Sequence, residues 1–372
     1  MRDATQNCGG AVPMVTREVF VRVAIIGGGI MGCATAQSLA QRGADAVLLD
    51  RAVLGLEASS AAAGILGGQV ELRGRERFVK RFVEARDAWR PWATELSAES
   101  GCDVGYRPSG VLCVARTDAE RMDLAREVAW QTSRGLAASM LDGDAARSVE
   151  PEIGPTVVGA AHFPEDGQVN PVSVLRALIA ILARDPRVQI RSGSPVHGLV
   201  VAGDRCVGVK LADGELRADA TVLAAGSWSS LVGGVPAEIP TVRPVRGQML
   251  ELEERPPRLK SIVFGSDGYA VPRGDGRVLC GSTTERVGFC REVTAAGMGA
   301  ILANALACVP SLGRARFVAS WSNFRPLADA DFPLVGPSPL LGLFLATGHY
   351  RNGILLAKVT ADAVAQAITG SQ

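Results

Sequence analysis

The run Val23-Ala24-Ile25-Ile26-Gly27-Gly28-Gly29-Ile30-Met31-Gly32, continued by Cys33 to Arg42 and closed by Ala46-Val47-Leu48-Leu49-Asp50, reads as strand, glycine loop, helix and second strand. Val23 to Ile26 is a short apolar run of the kind that makes a buried strand. Gly27, Gly29 and Gly32 fit the spacing G-x-G-x-x-G. Gly27 permits a tight turn, Gly29 lets a pyrophosphate approach the backbone, and Gly32 lets helix and strand pack closely. The helix carries Ala34, Ala36, Leu39 and Ala40 on a small-residue face, and Gly43 is placed to end it. Its N-terminal N–H groups and positive dipole end face the loop, where phosphates bind. Asp50 stands 18 residues beyond Gly32, where a carboxylate accepts hydrogen bonds from ribose hydroxyls. With 43 glycines in the chain the triplet alone is weak. The strand before it, the helix after it and the acid at this distance make it a dinucleotide site.

At 372 residues the chain exceeds the ~250–300 at which one core stops growing, so two domains are expected. Its composition, 47% hydrophobic and 21% charged, is that of an ordinary globular enzyme. A formal net charge of +1 argues against a nucleic-acid partner or an acidic membrane surface. The eight cysteines form no C-x-x-C and there are three histidines, which argues against a metal cluster. They read as reduced core residues of a cytoplasmic protein. The most apolar helical stretch, Val172 to Ala183, contains Arg176 and is too short for a membrane span. Met1 to Glu18 is polar, lacks an apolar signal core and reads as a loose leader, with Met14 as an alternative start.

Beyond Asp50 come a loop and the small-residue run Ser59-Ser60-Ala61-Ala62-Ala63-Gly64-Ile65-Leu66-Gly67-Gly68, which suits a backbone passing close to a large flat ligand. Glu71 to Glu99 has helical spacing, with a break or kink expected at Pro91. Tyr106 to Ala115 reads as a hairpin turning at Pro108-Ser109-Gly110. Helices are expected over Asp118–Arg134, Asp142–Val149, Asn170–Ala183, Thr294–Cys308 and Asn352–Ile368, and strands through Val188–Ala225, Thr241–Thr284, Ala315–Phe324 and Leu343–Ala346. Dinucleotide-type segments at the start, middle and end imply two interleaved domains.

Several stretches together resemble the D-amino-acid oxidase superfamily of flavoenzymes, and within it the glycine oxidases of bacterial thiamine biosynthesis. They are Gly27 to Gly32, Ser60 to Gly67, Ala225-Gly226-Ser227-Trp228-Ser229, Gly268-Tyr269-Ala270-Val271-Pro272-Arg273, Phe324-Arg325-Pro326, and Gly348 to Leu356. The resemblance covers nearly all of the chain after Val21. It implies an α/β, two-domain, p-hydroxybenzoate-hydroxylase-like architecture with a Rossmann-type FAD domain (21–70, 150–235, 320–372) interleaved with an antiparallel-sheet substrate domain (71–149, 236–319). Residues 1–20 would be a flexible leader.

Carried over by motif, the resemblance places FAD against Gly27, Gly29, Ile30, Met31 and Gly32, with Asp50 on the adenosine ribose and Arg51 and Ser59 near the AMP half. Ala63, Gly64 and Ile65 would run beside the isoalloxazine, and Val196 would bracket the adenine. Gly226 and Trp228 belong to the same cofactor set. The segment His349, Tyr350, Arg351, Asn352, Gly353, Ile354 and Leu355 would set a helix N-terminus at the pyrimidine end of the flavin. Arg325 would clamp the substrate carboxylate, with Tyr269 donating to it and Arg351 reaching the substrate or the flavin edge. A strand-end arginine in an ordinary ion pair and a half-buried core tyrosine are the bland alternatives. No histidine is assigned as a base, and no metal is implied.

The implied activity is oxidation of glycine, small D-amino acids or sarcosine by hydride transfer from the α-carbon to flavin N5, with oxygen as acceptor and hydrogen peroxide as product. The imine would serve thiazole formation, giving a functional link to thiazole synthase. Some relatives attach flavin through a cysteine before the arginine motif; Trp321-Ser322-Asn323 stands there, so non-covalent FAD is expected. Asp267 replaces a histidine of the glycine oxidases and would place a carboxylate near the mouth of the site. Competing readings are a dehydrogenase passing electrons to a quinone or carrier protein, a sarcosine-oxidase-like enzyme, and a non-enzymatic NAD or flavin module. Oligomeric state, a homo-oligomer included, is not legible in the sequence.

Overall fold

Two sheets organise residues 21–370, the part described by the computed structural model; the expected leader lies outside them. The first sheet has six strands in the order Leu334–Pro337, Leu343–Thr347, Ala220–Leu223, Arg22–Ile26, Asp45–Leu49, Val188–Arg191. All neighbours are parallel except the first two. Arg22–Ile26 lies inside the sheet and is covered on both sides, which is why it reads as an unbroken apolar run. Val23 and Ile25 pack into the cluster beneath the helices, Ala24 and Ile26 into the opposite one. The helical side holds Ile30–Gln41, Val79–Ser100, Pro171–Leu182 and Gly353–Thr369. The other side carries the antiparallel meander Gly198–Ala202, Arg205–Leu211, Gly214–Arg217.

The second sheet has eight strands: Arg316–Ala328, Val242–Glu253, Arg277–Gly281, Tyr269–Pro272, Ile262–Phe264, Val111–Ala115, Gly159–Phe163, Ser139–Asp142. Its only parallel pair is Ile262–Phe264 with Val111–Ala115. Alternation along the strands sorts its faces. Leu250, Leu252 and Ala270 pack toward the helix Ala295–Cys308, whereas Met249, Tyr269 and Val271 belong to the cluster that includes Ala63 and Val70. This is the mixed α/β architecture expected from the resemblance, with a largely parallel and a largely antiparallel sheet.

Side-chain caps open three of the expected helices. Thr117 and Glu120 form a capping box, Asn170 caps a helix with Pro171 in its first turn, and Thr294 caps Ala295–Cys308. Two expectations need correction. The stretch Glu71–Glu99 is α-helical only from Val79, after a 3-10 turn at Glu76–Phe78, and the helix Val79–Ser100 is not broken at Pro91. Trp89 and Trp92 flank the proline, fully buried, with their indole N–H groups donating to Ile354 and Leu355 carbonyls and to Gln37 Oε1. Burial of two indoles on either side offsets the ~3 kcal/mol that an internal proline costs. Tyr106–Ala115 is not a hairpin either: Arg107 bridges to Gln168, and Val111–Ala115 pairs with Gly159–Phe163 and Ile262–Phe264.

The seven cysteines among the described residues are all free thiols. Burial pushes Cys33, Cys113 and Cys280 up to about 12, which keeps them protonated and unreactive. Among these residues no helix is long and apolar enough to cross a membrane.

Candidate active site

A long cleft runs between the C-terminal ends of the parallel strands and one face of the eight-stranded sheet. Its floor begins at Gly27, with φ +107° and an imagined Cβ 2.5 Å from Ala224 O, so only glycine turns here. A Cβ on Gly32 would lie 1.8 Å from Gly27 O; this glycine lets the helix Ile30–Gln41 seat on the strand end. Gly28 N–H donates to Asp50 Oδ2 at 2.7 Å, and Ala52 N–H donates to Asp50 Oδ1 at 2.9 Å. The backbone thus fixes the carboxylate at the cleft wall. Ser59 Oγ accepts from Ile30 N–H at 3.0 Å, tying the small-residue segment to the first turn of the helix.

That segment is held from the opposite sheet. Trp321 Nε1 donates to Ala61 O at 3.1 Å and Arg273 Nη2 to Ala63 O at 2.7 Å, while Gly64 O accepts from Val169 N–H. Arg273 is buried, and its other terminal nitrogen donates to Gln168 Oε1 and Val169 O, both at 2.9 Å. Burial pushes its guanidinium down to about 10, still charged at neutral pH. At one end of the cleft the Arg51 guanidinium lies 3.9 Å over the Trp228 ring and pairs with Glu57 at 2.6 Å. Phe289 stacks on the same indole with ring centroids 5.1 Å apart, and Arg291 beside it pairs with Glu57.

At the other end stand Arg325, Tyr269, Arg351 and Glu71. Arg325 is half-buried; its Nη2 donates to Ser282 Oγ at 2.8 Å and its Nη1 to Thr283 O at 3.1 Å. Among the described residues no carboxylate lies within ion-pair distance of it. The buried Tyr269 hydroxyl donates to Met249 Sδ at 3.3 Å. Arg351 faces Glu71 with one edge of its guanidinium, Nη2 at 3.0 Å from Oε1 and Nε at 3.3 Å from Oε2. Glu71 thereby holds the Arg351 guanidinium above its ordinary value, against a smaller effect of burial. Arg351 follows Tyr350, which has φ +52°, at the start of the helix Gly353–Thr369. The N-terminal ends of two helices therefore border one cleft.

The cleft lining includes Gly27, Gly29, Ile30, Met31, Asp50, Arg51, Ser59, Ala63, Gly64, Ile65, Val196, Gly226, Trp228, His349, Tyr350, Arg351, Asn352, Gly353 and Ile354, with Tyr269 and Arg325. Gly32 and Leu355 do not line it: Gly32 sits under the turn and the Leu355 carbonyl accepts from Trp89. Asp267 is exposed, bonded to Ser266, and outside the lining, so it does not stand at the mouth. Sequence reasoning missed Glu71, Gly247, Met249, Ser282 and the grip of Arg273; only Arg273 lay in a motif singled out beforehand. His349 is buried, shares a 3.0 Å hydrogen bond with Thr360, and burial pushes it down to about 3. It is neutral in the folded protein.

The lining suits a flavin dinucleotide. Small residues keep side chains out of the space: a Cβ on Gly226 would meet nothing within 4 Å, and on Gly29 only Ser59 Oγ at 3.2 Å. An acid closes the second strand, and helix N-termini supply donors for the phosphates and for a flavin edge.

Residues 22–367 match the family described as DAO, FAD dependent oxidoreductase. The chain is 34% identical over 357 residues to the glycine oxidase of Geobacillus kaustophilus, covering 93% of this chain and 92% of that one. It is 35% identical to a bifunctional protein ThiO/ThiG of Nostoc sp., covering 95% of this chain and 53% of the longer relative. The crystal structure of the Geobacillus kaustophilus glycine oxidase superposes with a TM-score of 0.88 at 32% identity, covering 94% of this chain and 95% of that one. Fold, cleft and likeness agree: the chain belongs to the DAO family of FAD dependent oxidoreductases and is an FAD-dependent amino-acid oxidase.

Proposed function

We propose that the protein oxidises glycine and other small amino acids carrying one carboxylate, sarcosine and small D-amino acids among them. The observation that supports this most is Arg325: a half-buried guanidinium in the cleft, positioned by Ser282 and Thr283, with no carboxylate of the described residues within ion-pair distance. A planar fork of this kind matches a substrate carboxylate bidentately. Tyr269 stands in the same lining, its hydroxyl able to leave Met249 Sδ, a weak acceptor, for a carboxylate oxygen. Clamping the carboxylate fixes where the α-carbon lies, which is the main help such a reaction needs. The lining named above would hold FAD non-covalently, and the cofactor would supply the acceptor for the α-carbon hydride, with oxygen as the final acceptor and hydrogen peroxide as product.

The amine gives up its ammonium proton to solvent on entry. His349, held neutral by burial and bonded to Thr360, is too weak a base to take it. The start of Gly353–Thr369 turns its positive dipole end toward the cleft, where it favours negative charge. Among the described residues no cysteine lines the cleft, which supports non-covalent FAD. The imine product either hydrolyses to keto acid and ammonia or is handed on to thiazole synthesis in the cytoplasm; a relative whose name joins ThiO to ThiG supports that link.

The test is anaerobic titration of the purified holoenzyme with glycine, sarcosine, D-alanine and D-proline, followed by admission of air. Bleaching of the flavin bands by at least one of the small amines, with peroxide on re-oxidation, is expected. Bleaching without peroxide would move the enzyme to the dehydrogenases. Flavin left oxidised by every amine would overturn the proposal.

A further inference from the structure

We infer that Glu71 sets the substrate specificity of the site by occupying Arg351, so that the cleft accepts an amine with one carboxylate and rejects one with two. The inference rests on the amino-acid reading of Arg325 given above. Three charged side chains stand at the Tyr269 end of the cleft: Glu71, Arg325 and Arg351. Two are cations, enough in principle to hold two carboxylates. Arg351, however, already presents one edge of its fork, Nη2 and Nε, to Glu71 at 3.0 and 3.3 Å. With a salt-bridge side-chain exposure of 30% for Arg351 and 18% for Glu71, the pair is partly shielded from water, so its charges are felt inside the cleft. The end of the site thus holds a net charge of one cation, Arg325, matching one carboxylate. A second carboxylate would meet the Glu71 anion and an arginine whose charge Glu71 already neutralises. Exclusion here comes from a second carboxylate left without a counter-cation rather than from shape.

Glu71 reaches Arg351 from 280 residues away in sequence, off the turn that follows Gly67-Gly68. It acts through Arg351 and is a specificity-positioning residue; no contact with the reacting atoms is needed.

The experiment compares two substrates of equal size on the wild-type holoenzyme: iminodiacetate, and its monoamide N-(carbamoylmethyl)glycine. The monoamide, with one carboxylate, should reduce the flavin with at least tenfold higher kcat/KM. Equal or better use of iminodiacetate would overturn the inference. So would failure of both while sarcosine still bleaches the flavin, since size would then be the filter. In Glu71→Gln the preference for the monoamide should narrow at least tenfold. Adding Arg351→Met to Glu71→Gln should remove the gain for iminodiacetate. An unchanged ratio in Glu71→Gln would overturn the assignment even if overall rates fall. If glycine and sarcosine themselves leave the wild-type flavin oxidised, it is the amino-acid reading that fails, and the two failures are distinguishable.

Discussion

Arg325 reaches its place because residue 247 has no side chain: a Cβ on Gly247 would lie 2.2 Å from Arg325 Nη2 and 2.4 Å from Cζ. The two residues belong to the paired strands Val242–Glu253 and Arg316–Ala328. Gly247 faces Asn323 across the ladder while the Arg325 side chain folds back over it. The bare backbone of one strand is the floor on which the proposed carboxylate clamp of the other rests.

Gly247→Ala should therefore injure the site and spare the fold. The clashing atoms are the far end of a flexible side chain, so the guanidinium moves and the sheet survives. KM for glycine should rise at least tenfold, with a Tm change of a few degrees or less. Unchanged KM would separate Arg325 from substrate binding.

Replacing Arg325 itself distinguishes geometry from charge. Arg325→Ala should lower kcat/KM by ~10²-fold or more, equivalent to ~3 kcal/mol for a truncated charged hydrogen-bonded pair. Arg325→Lys keeps the charge but loses the fork, and should recover only part of that loss. Full recovery with lysine would argue against bidentate binding.

The strap over the other end of the cleft predicts an effect on cofactor retention. Arg291 pairs with Glu57 and lies over Trp228 and Phe324, and Ser322 Oγ donates to the Arg291 carbonyl at 2.6 Å. An exposed ion pair and a cation–π contact contribute ~0.2–1 kcal/mol each. Arg291→Ala should raise the FAD dissociation constant about threefold to tenfold, read from the recovery of free-flavin fluorescence. No change would show that the strap does not hold the cofactor.

His349 predicts a pH dependence of stability. Burial, with a smaller effect of Arg81, pushes it from the ordinary 6.5 down to about 3. Between those two values the unfolded chain binds more protons than the folded one, so stability rises with pH. Its contribution is fully present above pH ~6.5 and is lost as the pH falls toward 3, by ~2 kcal/mol at pH 5. His349→Gln, which keeps a hydrogen bond to Thr360, should lose less Tm between pH 7 and pH 5 than the wild type. Parallel melting curves at both pH values would contradict this.

What was legible in the sequence follows the range of the interactions. Val23 to Asp50 was readable because strand, turn, helix and acid succeed one another within a few turns of chain, each with its own period. Arg325 was readable because Phe324 and Pro326 mark it locally. Glu71 carries no local signal; its role exists only through a partner 280 residues away. Ser282 meets Arg325 across 43 residues and Arg273 meets Ala63 across 210. The misread hairpin has the same cause: Gly110 does turn the chain, with φ +68°, but the partners of Val111–Ala115 come from distant strands. Pro91 does not break its helix because two indoles, Trp89 and Trp92, are buried beside it, a tertiary effect that local propensity does not carry.

The central claim is that a small amine, clamped by Arg325, reduces the bound flavin. Anaerobic stopped-flow of wild type and Arg325→Ala against rising glycine and sarcosine tests it most directly. The wild-type flavin should bleach at a rate that saturates with at least one of the two, and Arg325→Ala should need at least tenfold more of it. An oxidised wild-type flavin, or matching saturation curves for the two proteins, would contradict the account.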